Sequence, residues 1–105
     1  MADVEVGTKA DFKEGMMKRI EVNGKEILIA NLGGTLYAIG DVCTHAECSL
    51  SEGILENTIV VCPCHNAQFD VQSGKNVEPP VTGETIDDEP SYKIKVDGNK
   101  VFVIV

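Results

Sequence analysis

Short runs of apolar and polar residues, of strand length and bounded by turn residues, mark both ends of the chain. Met16 to Val22 and Lys25 to Asn31 are two such runs. Asn23-Gly24 between them is the strongest short signal for a hairpin turn. Gly33-Gly34 then turns the chain into Leu36-Tyr37-Ala38-Ile39. Tyr92 to Val96 alternates apolar residues with lysine, Asp97-Gly98-Asn99 turns again, and Lys100 to Val105 ends on a β-branched run. Thr58 to Val61 and Gln68 to Val71 read as shorter strands flanking a turn at 63–66, with Ser73-Gly74 turning beyond them. Helix is scarce. Thr8 is placed to cap one turn through Phe12, Ser49 to Gly53 fits another, and neither is amphipathic over any length. Many short strands with turns every ~8–12 residues predict an all-β fold, an antiparallel sandwich or barrel.

Composition narrows the class. The 105 residues make one domain, 1–105, with 43% hydrophobic and 25% charged residues, the values of an ordinary globular chain. A disordered tail and a coiled coil are excluded. No apolar run approaches the ~20 residues that span a bilayer. The first residues, Met-Ala-Asp-Val-Glu, are acidic where a secretory signal is basic and then apolar, so the cytoplasm is the expected address.

Charge is lopsided. The net charge is −8, and residues 41–92 carry ten acids against one base, Lys75. The remaining residues carry seven acids and eight bases. Nucleic acid and anionic membrane are poor partners for such a surface. A protein partner with a basic docking face is the natural complement.

The acidic middle also holds the candidate chemistry. All four cysteines and both histidines fall between positions 43 and 65, as Cys43-Thr-His45-Ala-Glu-Cys48, thirteen residues, then Cys62-Pro-Cys64-His65. Thiolate and imidazole are ligands of zinc, copper and iron–sulfur centres, so this crowding points to a metal site. A disulfide framework alone leaves the histidines unexplained. No methionine lies near these loops to complete a blue-copper site. Ligand count leaves a Cys₂His₂ zinc site open. Two Cys and two His on two separate loops suit a binuclear cluster in which His₂ replaces Cys₂ on one iron. Ser49 and Ser51 have no His or acid at nucleophile spacing and read as turn residues.

Cys43-x-His45, sixteen residues, then Cys62-x-x-His65 resembles the cluster-binding pattern of Rieske proteins, and the chain is similar to a soluble Rieske-type ferredoxin. Pro63, Phe69-Asp70-Val71, the Ser73-Gly74 turn and Pro79-Pro80-Val81-Thr82 sit where that family has them, so the likeness spans essentially the whole chain. The resemblance implies a Rieske fold: an antiparallel β scaffold with a small cluster-binding subdomain at about 41–83. It further implies one [2Fe-2S] cluster, with Cys43 and Cys62 on the inner iron and His45 and His65 on the outer iron. Pro79-Pro80 would form a third loop covering it. Four protein ligands leave no open coordination position, so the implied role is one-electron carriage between a reductase and a terminal oxygenase, without catalysis by this chain. A carrier in another redox pathway, respiratory or archaeal, and a non-redox Rieske-fold regulatory subunit are the alternatives. Cys48 and Cys64 stand where respiratory Rieske subunits carry a bridged pair, which implies a Cys48–Cys64 disulfide. The Ser and Tyr that donate hydrogen bonds to cluster and ligand sulfur in that branch are replaced here by Ala67 and Phe69.

Overall fold

The computed structural model describes residues 2–44, 48–64, 66–83 and 85–105. Two antiparallel sheets make up the fold. The larger is built from β1 (Asp3–Thr8), β2 (Met17–Val22), β3 (Lys25–Leu32), β4 (Thr35–Gly40), β9 (Ser91–Asp97) and β10 (Lys100–Ile104). Its spatial order is β1-β10-β9-β4-β3-β2. The smaller sheet runs in sequence order through β5 (Ile54–Glu56), β6 (Ile59–Val61), β7 (Gln68–Asp70) and β8 (Asn76–Glu78). Single 3₁₀ turns lie at Lys9–Asp11 and Leu50–Glu52, where the sequence signals one turn each.

The turn chemistry sets the register. Asn23 and Gly24 both take positive φ, 51° and 78°, as a two-residue hairpin whose twist matches its strands requires. Val22 pairs with Lys25 across that turn, and the ladder runs on to Met17 opposite Ala30.

β3 is the wall between two cores. Ile27 and Ile29 point into a cluster with Phe12, Val22, Ala38, Val101 and Val103, joined by half-buried Val4, Val6 and Ile20. That cluster draws on both ends of the six-stranded sheet, β1 and β2, so the sheet curls around it. Leu28 and Ala30 point the other way, into a cluster with Ile39, Leu50, Val60, Ala67, Phe69, Val71, Cys43 and Cys62. A strand covered on both faces reads as a continuous apolar run, as Ile27-Leu28-Ile29-Ala30 does. Each fully buried aliphatic side chain of that wall contributes ~1.5–3 kcal/mol of transfer free energy.

Three strands escape the sequence pattern. β1 alternates Val4 and Val6, but its acids and Gly7 read as a polar tail; pairing with β10, Val4 opposite Val103, places it in the sheet. Main-chain bonds between Ala2 and Val105 close that edge. β5 and β8 are three residues long, too short for a period to show. Both are held by pairing with β6 and β7.

Candidate metal centre

Two loops at the end of the cluster-side core carry the candidate ligands, and each closes on itself through the main chain. The Cys43 N–H donates to the Cys48 carbonyl at 2.9 Å, and the adjoining bridge pairs Val42 with Ser49. The Cys62 N–H donates to the Ala67 carbonyl at 2.7 Å, while Asn66, with φ of 60°, donates back to the Cys62 carbonyl at 3.2 Å. Cys48 and Cys64 stand at disulfide distance with their Cα atoms 6.4 Å apart, so the two loops are stapled across a separation of 16 residues. Cys43 and Cys62 lie outside that pair, both buried in one apolar cluster.

Ala67 and Phe69 belong to the same cluster and are fully buried, so the two positions where a hydroxyl is missing abut the ligand region. Pro80 is fully buried, whereas its neighbours Pro79 and Val81 are exposed, Val81 by 73%. The third loop is therefore pinned by one proline and presents an apolar tip. His45 and His65 lie outside the described residues, as does Glu47.

Two of the ten central acids are not surface charge. Asp41, directly after β4, is completely buried. Its carboxylate accepts from the Ser49 hydroxyl and, at 2.9 Å, from the Ser51 N–H, and Arg19 Nε lies 3.6 Å away. Ser49 thus ties the residue beside Cys48 to the base of the first loop, and its hydroxyl also meets that of Ser51 at 2.8 Å. Glu89 is also buried, and its Oε2 has no hydrogen-bond partner among the described residues. Its carboxyl faces the Thr44 main chain, between the two candidate ligands of the first loop, and that N–H opposes the effect of burial. Burial pushes Glu89 up to about 8, and the Asp41 charge adds to the rise. Burial, and then Glu89, also raise the Tyr92 hydroxyl above its ordinary value. Nothing in the acidic run Asp87-Asp88-Glu89 distinguishes the third residue from its neighbours, so sequence reasoning counts it as surface charge. Glu52 and Glu56, in contrast, are exposed as the docking argument needs.

Buried thiol sulfur on two cross-linked loops, capping an antiparallel β scaffold, supplies the soft donors that zinc, copper and iron–sulfur centres share. The model of the Rieske [2Fe-2S] domain matches residues 2–102, and the chain belongs to that family. The ferredoxin component of the naphthalene 1,2-dioxygenase/salicylate 5-hydroxylase systems of Ralstonia sp. is 36% identical over 93 residues, covering 89% of this chain and 86% of the relative. Among solved structures, the ferredoxin of carbazole 1,9a-dioxygenase from Nocardioides aromaticivorans IC177 superposes with a TM-score of 0.89 at 30% identity, over 98% of this chain and 97% of that one. A chain from the complex of reduced oxygenase and oxidized ferredoxin in carbazole 1,9a-dioxygenase superposes with a TM-score of 0.82 at 27% identity, over 96% of this chain and all of that one. The protein is an electron carrier with one [2Fe-2S] cluster, not a catalyst in its own right, and the zinc alternative falls away. No helix among the described residues is long and apolar enough to cross a membrane.

Proposed function

We propose that this chain takes single electrons from a reductase and delivers them to the terminal oxygenase of a multicomponent oxygenase system. Within the single domain 1–105, the cluster-binding subdomain is about 41–83, with Cys43 and Cys62 holding the inner iron and His45 and His65 the outer one. The observation that carries the reading is the burial of Cys43 and Cys62 in one core at the mouth of two loops joined through Cys48 and Cys64. Thiols in that place are preorganised donors, shielded from solvent and from the exposed faces of the sheets. When bound, the cluster stores one electron and returns it. The polypeptide holds the loops, keeps water from the sulfur side and presents the other side to a partner.

The relatives support the circuit, since each named above is the ferredoxin of an oxygenase system, and one was solved with its oxygenase. The docking face we assign is the loop end, where Val42 and Pro63 are exposed beside the ligand segments and the 79–81 loop exposes Pro79 and Val81. Acids such as Glu52 and Glu56 lie on the same subdomain, so the partner's complementary face is basic. The cytoplasm remains the proposed address. In a reconstituted chain of reductase, this protein and its partner terminal oxygenase, electron delivery should fall several-fold from low salt to molar salt. Failure to reduce that oxygenase would overturn the circuit. Salt-independent delivery would overturn the electrostatic docking face.

A further inference from the structure

The segment 87–90 laces together the parts that must stay in register around the first ligand loop. The Asp87 carbonyl accepts from the Thr44 hydroxyl at 2.6 Å, and the Asp88 carboxylate accepts from the Asn76 N–H at 2.8 Å. The Glu89 N–H donates to the Gly74 carbonyl at 2.7 Å, and the Pro90 carbonyl accepts from the Gly40 N–H at 2.9 Å. In four residues the strap reaches the first loop, the β7–β8 turn, β8 and the end of β4.

Glu89 is the inward side chain of this strap. It is 5% exposed, faces the main chain of Thr44, whose hydroxyl the strap already holds through Asp87, and leaves its Oε2 without a partner among the described residues. Burying a half-satisfied carboxyl is costly, and an apolar side chain at that place would avoid the cost. The surroundings are nonetheless shaped to the carboxyl. A Cβ on Gly40 would overlap Glu89 Oε1 and press on Pro90, and a Cβ on Gly74 would overlap the Glu89 carbonyl. Gly40 clears space for the carboxyl itself, and Gly74 for the main chain of the strap.

We propose that Glu89 is a positioning residue of the cluster site, a buried carboxyl that braces the Cys43–Cys48 loop through the Thr44 main chain. The proposal rests on the reading of Cys43 and His45 as ligands. A loop whose amide is held from behind keeps its ligands at fixed distance and orientation, and such outer contacts tune both the retention and the potential of a metal group. Asp41 and Tyr92 are the titratable neighbours of the brace. Asp41 is already answered by Ser49, Ser51 and Arg19, whereas Glu89 keeps an oxygen without a partner among the described residues.

The test compares the loaded wild type with Glu89→Leu, Glu89→Gln and Gly40→Ala. Three readouts serve it: hydrogen–deuterium exchange of the 43–48 segment, cluster loss to a chelator, and midpoint potential. Glu89→Leu should exchange faster in that segment, lose its cluster roughly fivefold faster, the size expected for one net hydrogen bond, and shift in potential. Glu89→Gln keeps an acceptor oxygen and should restore all three towards wild type. Gly40→Ala displaces the carboxyl without removing it and should reproduce the Leu variant, while adding less in a Glu89→Ala background, where only its contact with Pro90 remains. Wild-type exchange, cluster lifetime and potential in Glu89→Leu would overturn the proposal. If that variant does not fold, the same three values unchanged in Gly40→Ala would overturn it. A wild type that loads no cluster overturns the ligand assignment instead, and segment exchange still decides the brace.

Discussion

The two cores share β3 and β4 but are closed by different means. The fully buried part of the barrel core is aliphatic apart from Phe12, with Tyr92 packed against it, and is sealed by the sheet curling on itself, with the chain ends paired. The cluster-side core ends in two thiols, a cross-link, and two buried acids at its rim. Hydrophobic burial completes the first and needs nothing more. The second reaches its final rigidity only with a bound group, because its mouth is lined by donors whose best partner is a metal. One wall therefore separates a region built for stability from one built for chemistry.

The sharpest break of that contrast is a pair of substitutions on opposite sides of the wall. Cys62→Ser should abolish the visible absorbance and melt the cluster end early, while the barrel strands persist by circular dichroism. Ile27→Ala should cost about 2–5 kcal/mol of global stability and leave the potential near wild type. Denaturant titration followed at both visible and far-ultraviolet wavelengths separates the two effects.

Removing the staple comes next. Cys48→Ser with Cys64→Ser deletes a cross-link across 16 residues, worth about 3 kcal/mol in the chain-entropy account. The loss should appear as faster cluster release and a lower melting temperature at the cluster end. Thiol titration of oxidised wild type, unfolded without reductant after cluster removal, should find two free thiols of the four.

Acidity sharpens the comparison further, because the buried acids among the described residues, Asp41 and Glu89, lie at the rim of the cluster side. Burial raises Glu89 from 4.5 to about 8. Between these values the folded chain holds a proton that the unfolded chain has released, so stability falls as pH rises. The contribution is complete below about pH 4.5 and levels off above about 8. Glu89→Gln should flatten that slope, as read by denaturation midpoints from pH 4 to 9, whereas Ile27→Val should leave it intact.

The smallest effect is electronic. Ala67→Ser and Phe69→Tyr place hydroxyls at buried positions in the core that holds Cys43 and Cys62, and donors aimed at sulfur stabilise the added electron. Voltammetry should show a higher potential in each variant. No rise in either would separate potential from hydroxyl donation in this protein.

How far the sequence disclosed these regions follows from which physics each uses. The barrel strands announce themselves through strand-length runs and positive-φ turn residues such as Asn23-Gly24, both local properties. The ligand loops are legible for another reason: six soft donors within 23 positions have few explanations. β5 and β8 are invisible because three residues carry no period and hairpin pairing with β6 and β7 holds them, and the strap at 87–90 because bonds to distant segments hold it. Asp41 and Glu89 mislead for a related reason. A carboxylate's burial depends on what closes over it, and charge counting along the chain assigns both to the surface.

The account turns on which atoms hold the iron. Pulsed electron paramagnetic resonance of the reduced protein, grown with ¹⁵N-histidine, reads that directly alongside an assay of iron and sulfide. The account predicts two irons and two sulfides per chain, with two strongly coupled histidine nitrogens that vanish one at a time in His45→Cys and His65→Cys. A cluster without nitrogen coupling, or one zinc and no sulfide, would contradict it.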